Sequence, residues 1–313
     1  MIITLLQAAK LLNSGQVVAI PTETVYGLAA SLDHPEAIAR IFTLKGRKQN
    51  NPLIIHVSSV EEIIHLTKFL PKSFELLLNA LWPGPLTLVM PIIEEKIPSI
   101  VRANLSTAGF RIPNHPLTRE LLKLTGPLVM PSANLSGKPS ATSPKHVSLD
   151  FGKDLPVLDG GICSIGLEST ILYWTNEKWS LIRSGAYSQE DFLSVLGYLP
   201  QMETEINKET KQPLCPGQLY RHYAPKAKLI LNKKIPNEGV EAIVGFTNRI
   251  YRKNCRLFYL GTSYQADEVA KNLYSILRSL DDQGIVEAFV DMDFPDTGLW
   301  VTIRERLHKA SSK

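Results

Sequence analysis

Lys45-Gly46-Arg47-Lys48 closes an apolar-periodic stretch and leads through Asn50-Asn51-Pro52 into another apolar run. Cations near a helix C-terminus complement the helix dipole, which accounts for the pattern without any ligand. The same residues suit a polyphosphate clamp. Arginine offers a bidentate fork, lysine a mobile point charge, and Gly46 lets the backbone come close. Pro131-Ser132-Ala133-Asn134-Leu135-Ser136-Gly137-Lys138-Pro139-Ser140 follows a short apolar run with three serines, an asparagine and a glycine. Such residues populate plain loops, and they also build nests of hydroxyls and amides that cradle phosphate oxygens. Pro21-Thr22-Glu23-Thr24-Val25-Tyr26-Gly27 reads either as a self-satisfied turn or as a pocket with hydroxyls, a carboxylate and an aromatic wall. Arg111-Ile112-Pro113-Asn114-His115-Pro116 offers an arginine for loop carbonyls or for a substrate carboxylate. Glu168-Ser169-Thr170 and Arg183-Ser184-Gly185-Ala186 repeat the pairing of hydroxyl and cation at strand ends.

Other chemistries lack their residues. The chain has no GxxxxGK[ST], GxGxxG or GxSxG segment. Its seven histidines are scattered, with no HExxH. His56, inside an apolar run, suits a satisfied core histidine better than a base. Cys163, Cys215 and Cys255 lie too far apart in sequence for a CxxC site, and their odd number argues against a disulfide framework. A pocket of cations and hydroxyls remains, suited to positioning and charge neutralisation more than to a covalent nucleophile.

The elements that carry these segments alternate between strands and helices. Thr4 is expected to cap a helix through Asn13, stopped by Gly15, with Val17–Ile20 a buried strand behind it. Pro35 opens a helix toward Leu44, Leu53–Val57 is a strand, and Ser59 starts a helix. Leu86–Met90 is a strand, Pro116 opens a helix through Leu124, and Leu128–Met130 is a short strand. Thr170–Tyr173 and Trp179–Ile182 pair around Asn176-Glu177, and Ser188 caps a helix through Leu196. The polar stretch Tyr198–Pro216 reads as a linker. Beyond it, strands at Lys228–Leu231, Ala242–Phe246, Leu257–Leu260 and Val286–Val290 interleave with helices at Gln265–Leu280 and Gly298–Ala310. That pattern predicts a small α/β unit with a largely parallel sheet.

A length of 313 residues allows two domains. A hydrophobic fraction of 44% and a charged fraction of 20% exclude a disordered chain and a coiled coil. The net charge of +4 is too small for a protein that coats nucleic acid by charge alone. The N-terminal residues lack a basic n-region, so a signal peptide is not expected. The apolar stretch 76–93 is broken by Pro83, Gly84, Pro85 and Pro91, which argues for helix, turn and strand rather than a membrane span. A cytoplasmic location is the expectation.

Taken together, PTETVYGLAA, KGRKQNNPLIIHV, WPGPLTLVM, RIPNHP, PSANLSGKPS, ESTI and IRSGA occur in the order found in YrdC-like domains, which the chain resembles. PGQLYRHYAPKAKL resembles the linker of the long, two-domain threonylcarbamoyl-AMP synthases. The resemblance spans nearly the whole chain and is strongest over 15–187 and 213–228. It implies a YrdC-like twisted mixed sheet whose helices form a concave basic pocket, followed by a small Rossmann-like α/β C-terminal domain. The implied boundaries are 1–187 for the catalytic domain, 188–225 for a linker and lid, and 226–313 for the C-terminal domain.

The implied reaction converts L-threonine, bicarbonate or CO2, and ATP into L-threonylcarbamoyl-AMP and pyrophosphate, with Mg²⁺ accompanying the ATP. The threonine amine captures CO2 as a carbamate, whose oxygen attacks the α-phosphorus. The tRNA threonylcarbamoyl-transfer machinery then moves the group to N6 of the adenosine beside the anticodon of ANN-decoding tRNAs. Weak RNA binding is a further implied property, and no membrane partner is. The family's KxR and SxN signatures fall on Lys45, Arg47, Ser132 and Asn134, the implied catalytic set. Those four, with Asn51, Thr107, Ser140, Arg183, His222 and Tyr223, are the implied ATP contacts, the last two folding over as a lid. Thr24, Tyr26, His56, Arg111 and Ser169 would hold threonine, Arg111 taking its carboxylate and Tyr26 walling the pocket. No residue is expected to ligate a metal directly. The chain departs from the family at Lys48, where a proline is usual, and at Asp296–Val301, where small residues are usual. Two alternatives stay open. One is a carbamoyl-adenylate enzyme, whose relatives carry CxxC repeats that this chain lacks. The other is a double-stranded or ribosomal RNA binder, which the modest charge disfavours.

Overall fold

The computed structural model describes residues 1–203, 213–215, 222–234, 239–251 and 254–312. Pro216 to Arg221, part of the segment resembling the family's linker, lie outside the described residues.

Local signals set the first elements. The Thr4 hydroxyl accepts the Gln7 N–H while the Gln7 side chain accepts the Thr4 N–H, a reciprocal cap on the helix Leu5–Asn13. Pro35 and Pro116 stand in the first turns of Pro35–Lys45 and Pro116–Thr125. Gly46, at φ 60°, ends the first of these in the left-handed region, a conformation glycine adopts at little cost. Asn176 and Glu177, both at positive φ, turn the hairpin between Thr170–Thr175 and Lys178–Arg183.

Ten strands form one mixed sheet. Across it they run Ile2–Ile3, Val157–Leu158, Val18–Ile20, Gly27–Ser31, Leu128–Val129, Ile54–His56, Thr107–Arg111, Leu86–Pro91, Thr170–Thr175 and Lys178–Arg183. Parallel and antiparallel pairs alternate irregularly, and helices pack on the sheet around a core containing Tyr26, Phe42, Phe74, Phe110 and Trp179. The helix Gln189–Leu196 belongs to this unit, because Phe192 is buried in the same core. Part of the polar stretch after it also packs: the Leu181 backbone bonds to Gln201 and Glu203.

The second sheet has four strands, ordered Lys228–Asn232, Glu287–Asp291, Ala242–Phe246 and Arg256–Gly261, and every pair is parallel as expected. Helices Ala266–Asp282 and Leu299–Ser311 cover it. Its core takes in Val25, Leu167 and Tyr223, so the two sheets are joined through shared apolar packing. No described helix is long and apolar enough to cross a membrane.

A strand ending at Arg111 was expected from the sequence, whereas Gly27–Ser31 was not evident. Gly27–Ser31 is built of small residues and is buried throughout, which removes the alternation that marks a half-exposed strand. In Thr107–Arg111, Gly109 lets the neighbouring strand approach, since a Cβ there would lie 3.1 Å from Thr87 Cγ2.

Candidate functional site

The loops that leave the first sheet converge on two joined cavities. The inner one, with ≈ 630 Å³ of space between its walls, is narrow, and the outer one, ≈ 700 Å³, lies in the range of small-molecule sites. Arg47, Lys138 and His222 line both.

Arg111 ends the strand Thr107–Arg111 and reaches the inner cavity fully buried. Its Nε donates to Gly84 O at 3.2 Å, Nη1 to Thr24 Oγ1 at 2.9 Å and Nη2 to Glu23 Oε1 at 2.6 Å. A guanidinium has five N–H groups, so two remain beyond these three bonds. Thr24 is fixed in turn by Thr22 Oγ1 at 2.7 Å. Ser169 Oγ lies 2.7 Å from Thr87 Oγ1 and accepts from Arg183 Nη2 at 3.1 Å. His56 points into the same space, its Nδ1 3.3 Å from Ile54 O. Burial, and then the charge of Arg111, push its pKa well down, so the ring is neutral.

The Lys45 ammonium lines neither cavity. It is buried beneath the serine-rich segment and donates to the carbonyls of Ser132 and Asn134, 87 and 89 positions away. Burial first, and Arg47 second, lower its pKa well below the ordinary lysine value. Lys45 O also accepts the Ser136 N–H at 2.9 Å. One lysine therefore holds the path of residues 132–136 from both ends of its own structure. Arg47 donates to Asn51 O and Pro52 O, at 3.2 and 2.9 Å from Nη2, and thereby shapes the turn before the strand Ile54–His56. Asn134 Nδ2 donates to Leu135 O and Lys138 O, which leaves its buried Oδ1 without a partner. The buried Oδ1 of Asn51, beside the outer cavity, is in the same state. Unsatisfied buried acceptors are uncommon, and here they flank space that a ligand's donors or water can enter.

His222 and Tyr223 border the inner cavity from the start of the segment that enters the second unit. Burial, and then Arg47, bring the His222 pKa down to about 4. Tyr223 stacks on Tyr274, with ring centroids 5.3 Å apart and planes 20° apart.

Of the residues singled out from sequence, Thr24, Arg47, His56, Arg111, Ser132, Asn134, Ser140, Ser169, Arg183, His222 and Tyr223 meet around the inner cavity. Asn51 borders the outer one. Tyr26 lies in the core, where its hydroxyl donates to Gly161 O and accepts from Gly160 N, outside both cavity walls. Thr107, at the far end of its strand from Arg111, pairs with Pro91 and also lies outside both. Residue-type reasoning passed over Lys138, Asp150, Tyr274, Arg278 and Arg306. Asp150 accepts from Lys138 Nζ at 3.0 Å and from Arg278 Nη2 at 2.7 Å, and Arg278 also donates to Pro139 O. The only trace of Arg306 in the sequence is a cation set among apolar residues of a helix, next to Ile303 and Leu307.

Residues 10–185 match the Sua5–YciO–YrdC family model, described as telomere recombination. Residues 187–312 match a model described as the threonylcarbamoyl-AMP synthase C-terminal domain. A Bacillus subtilis threonylcarbamoyl-AMP synthase is 37% identical over 97% of this chain and 92% of its own length. A Pyrococcus abyssi protein of the same name is 38% identical over 97% of this chain and 93% of its own. The crystal structure of P. abyssi Sua5 complexed with L-threonine superposes with a TM-score of 0.90 at 35% identity, covering 99% of this chain and 97% of that one.

Proposed function

The chain belongs to the threonylcarbamoyl-AMP synthase family, and we infer from that membership and from its paired cavities that it joins L-threonine, bicarbonate or CO2, and ATP into L-threonylcarbamoyl-AMP and pyrophosphate. The carrying observation is that Arg111, Thr24, His56 and Ser169 share one inner cavity with Arg47, Ser132, Asn134 and Arg183. Such a cleft offers a carboxylate-binding end beside a phosphate-binding end.

In this reading the two remaining Arg111 N–H groups take the threonine carboxylate, and Thr24 and Ser169 receive its ammonium and hydroxyl. Neutral His56 leaves that ammonium unopposed by a second local cation. The ATP triphosphate lies toward Arg47, Ser132 and Arg183, with Asn51, Asn134 and Ser140 accepting or donating at its edges. Lys45 acts mainly by holding the Ser132 and Asn134 backbone. We take Thr107 and Tyr26 to act at most indirectly, through the strand and loop they fix. Once the ammonium has given up a proton to solvent, the threonine amine adds CO2 and loses a second proton to become a carbamate; a carbamate oxygen then attacks the α-phosphorus, and pyrophosphate departs with the negative charge that the arginines neutralise. His222 and Tyr223 exclude water from the resulting mixed anhydride.

Mg²⁺ enters as part of the Mg–ATP substrate and neutralises charge on the phosphate oxygens. Among the described residues no group of three or more His, Cys, Asp or Glu is arranged to hold a metal ion. We assign residues 1–187, with the helix Gln189–Leu196 packed on them, to the catalytic unit, the rest of 188–225 to the connection and lid, and 226–313 to the C-terminal domain. The product serves tRNA threonylcarbamoyl-transfer proteins in the cytoplasm, with any RNA contact weak.

The test is pyrophosphate release from ATP with Mg²⁺, L-threonine and bicarbonate, each omitted in turn, with L-serine as the specificity control. Release that needs both threonine and bicarbonate supports the reading. Release indifferent to threonine defeats it.

A further inference from the structure

Glu168 lines the inner cavity and is one of the points where the second unit grips the first, beside the Arg278 bonds to Asp150 and Pro139. Its Oε1 accepts from Ser140 Oγ at 2.6 Å, and Ser140 lines the same cavity. Its Oε2 accepts from Tyr274 OH at 2.8 Å and from Arg306 Nε at 3.2 Å. Tyr274 and Arg306 come from the two long helices of the second unit. Arg306 is wholly buried and also donates through Nη2 to Ser184 O at 2.6 Å. Its guanidinium carbon stands 5.0 Å from the centre of the Tyr223 ring, which also stacks on Tyr274 and meets the His222 ring at 5.5 Å. The same two side chains thus fix a carboxylate in one wall of the cavity and an aromatic ring in another.

We propose that Arg306 and Tyr274 are positioning residues for nucleotide binding: they seat the Tyr223 ring and hold Glu168 against Ser140, so that the C-terminal unit completes the cleft. The chemistry favours arginine at this position. A planar guanidinium stacks on a ring and donates in its own plane to a carboxylate, whereas a lysine ammonium has no plane to present. This inference rests on the proposed function only in taking the cleft to bind ATP.

The test is calorimetric binding of a non-hydrolysable ATP analogue with Mg²⁺ to the full chain and to Arg306→Lys, Arg306→Met, Tyr274→Phe, Tyr223→Ala and the Arg306→Lys/Tyr223→Ala pair. Arg306→Lys keeps the charge that Glu168 needs, so it remains informative should Arg306→Met fail to fold. The expected result is about tenfold weaker binding in Arg306→Lys, with kcat at saturating ATP within about threefold of wild type. The pair is expected to bind within about twofold of Tyr223→Ala alone, because both changes act through one ring. Wild-type affinity in Arg306→Lys and Tyr274→Phe, with only a lowered melting temperature, would make the contacts merely structural and overturn the proposal. Independent, multiplying losses in the pair would overturn it as well. A wild-type chain that binds the analogue yet shows no threonine-dependent turnover defeats the synthase reading alone, and the binding cycle still decides this one. A wild-type chain that does not bind the analogue overturns both.

Discussion

Replacing Arg111 with methionine separates what this residue does for the fold from what it does for threonine. Glu23, its partner at 2.6 Å, is buried, and the second carboxylate oxygen of Glu23 already lacks a hydrogen bond. Removing the guanidinium strands that charge. Breaking a buried pair from one side costs about 3–5 kcal/mol, a large share of the roughly 5–15 kcal/mol that holds a domain folded. Adding Glu23→Gln removes the stranded charge and is expected to bring the double variant back to within about 2 kcal/mol of wild type. Threonine binding is not expected to return with stability. Two hydrogen bonds to a charged carboxylate, at about 1.5–3 kcal/mol each, amount to about 10²–10⁴ in affinity. Urea unfolding followed by tryptophan fluorescence gives the first quantity, and the threonine KM for pyrophosphate release gives the second. If Glu23→Gln restores no stability to Arg111→Met, the buried-pair reasoning is wrong. If the double variant keeps a threonine KM within about threefold of wild type, Arg111 does not hold the carboxylate.

Three other expectations follow from the same contacts. Lys45→Met loses two bonds to carbonyls but is relieved of a buried ammonium, so melting should change by less than about 2 kcal/mol while turnover falls about a hundredfold, the size of effect a displacement near 1 Å produces; normal turnover would refute its role as a prop for Ser132 and Asn134. His222 has a pKa of about 4 where it is buried, below the value near 6.5 of a free histidine, so protonation favours the state in which it is exposed. ATP affinity is therefore expected to be full above about pH 6.5 and to be lost as pH falls toward 4, and a pH profile of analogue binding should flatten in His222→Gln. At Gly185 a Cβ would stand 2.2 Å from Thr170 N and 2.3 Å from Ser169 C, so Gly185→Ala must push the Ser169 backbone aside. It should lower stability by about 3 kcal/mol and weaken threonine binding, read by thermal melting and calorimetry.

What the sequence discloses depends on how far apart the interacting groups lie. Thr4, Ser188 and Asn176-Glu177 announce their caps and turn because the partners are two or three residues away. The strand-end segments are legible as a group, since polar residues directly after apolar runs have few other uses. Lys45 is half legible: its type suggests a phosphate ligand, but its bonds run to backbone carbonyls that only folding brings near. Tyr26 looks like a pocket wall from its neighbours, yet its ring faces the core and its hydroxyl serves the Gly160 loop. Gly27–Ser31 carries almost no strand propensity and is a strand because the sheet surrounds it. Arg306 and Glu168 share no local signal at all.

Those two residues are 138 positions apart, which sets an order of events during synthesis. At about 5–20 residues per second, Arg306 leaves the ribosome roughly 7–28 s after Glu168. Every strand of the ten-stranded sheet has emerged by then, since its last residue is Arg183. The first unit must therefore wait with the Glu168 carboxylate hydrated and the wall beside Ser140 unbraced. A nascent chain halted late in that interval carries Arg47, Arg111 and Arg183, yet lacks the Arg306 that helps to seat Tyr223. Translation of the helix Leu299–Ser311 is thus the step that turns an open basin into a sealed one.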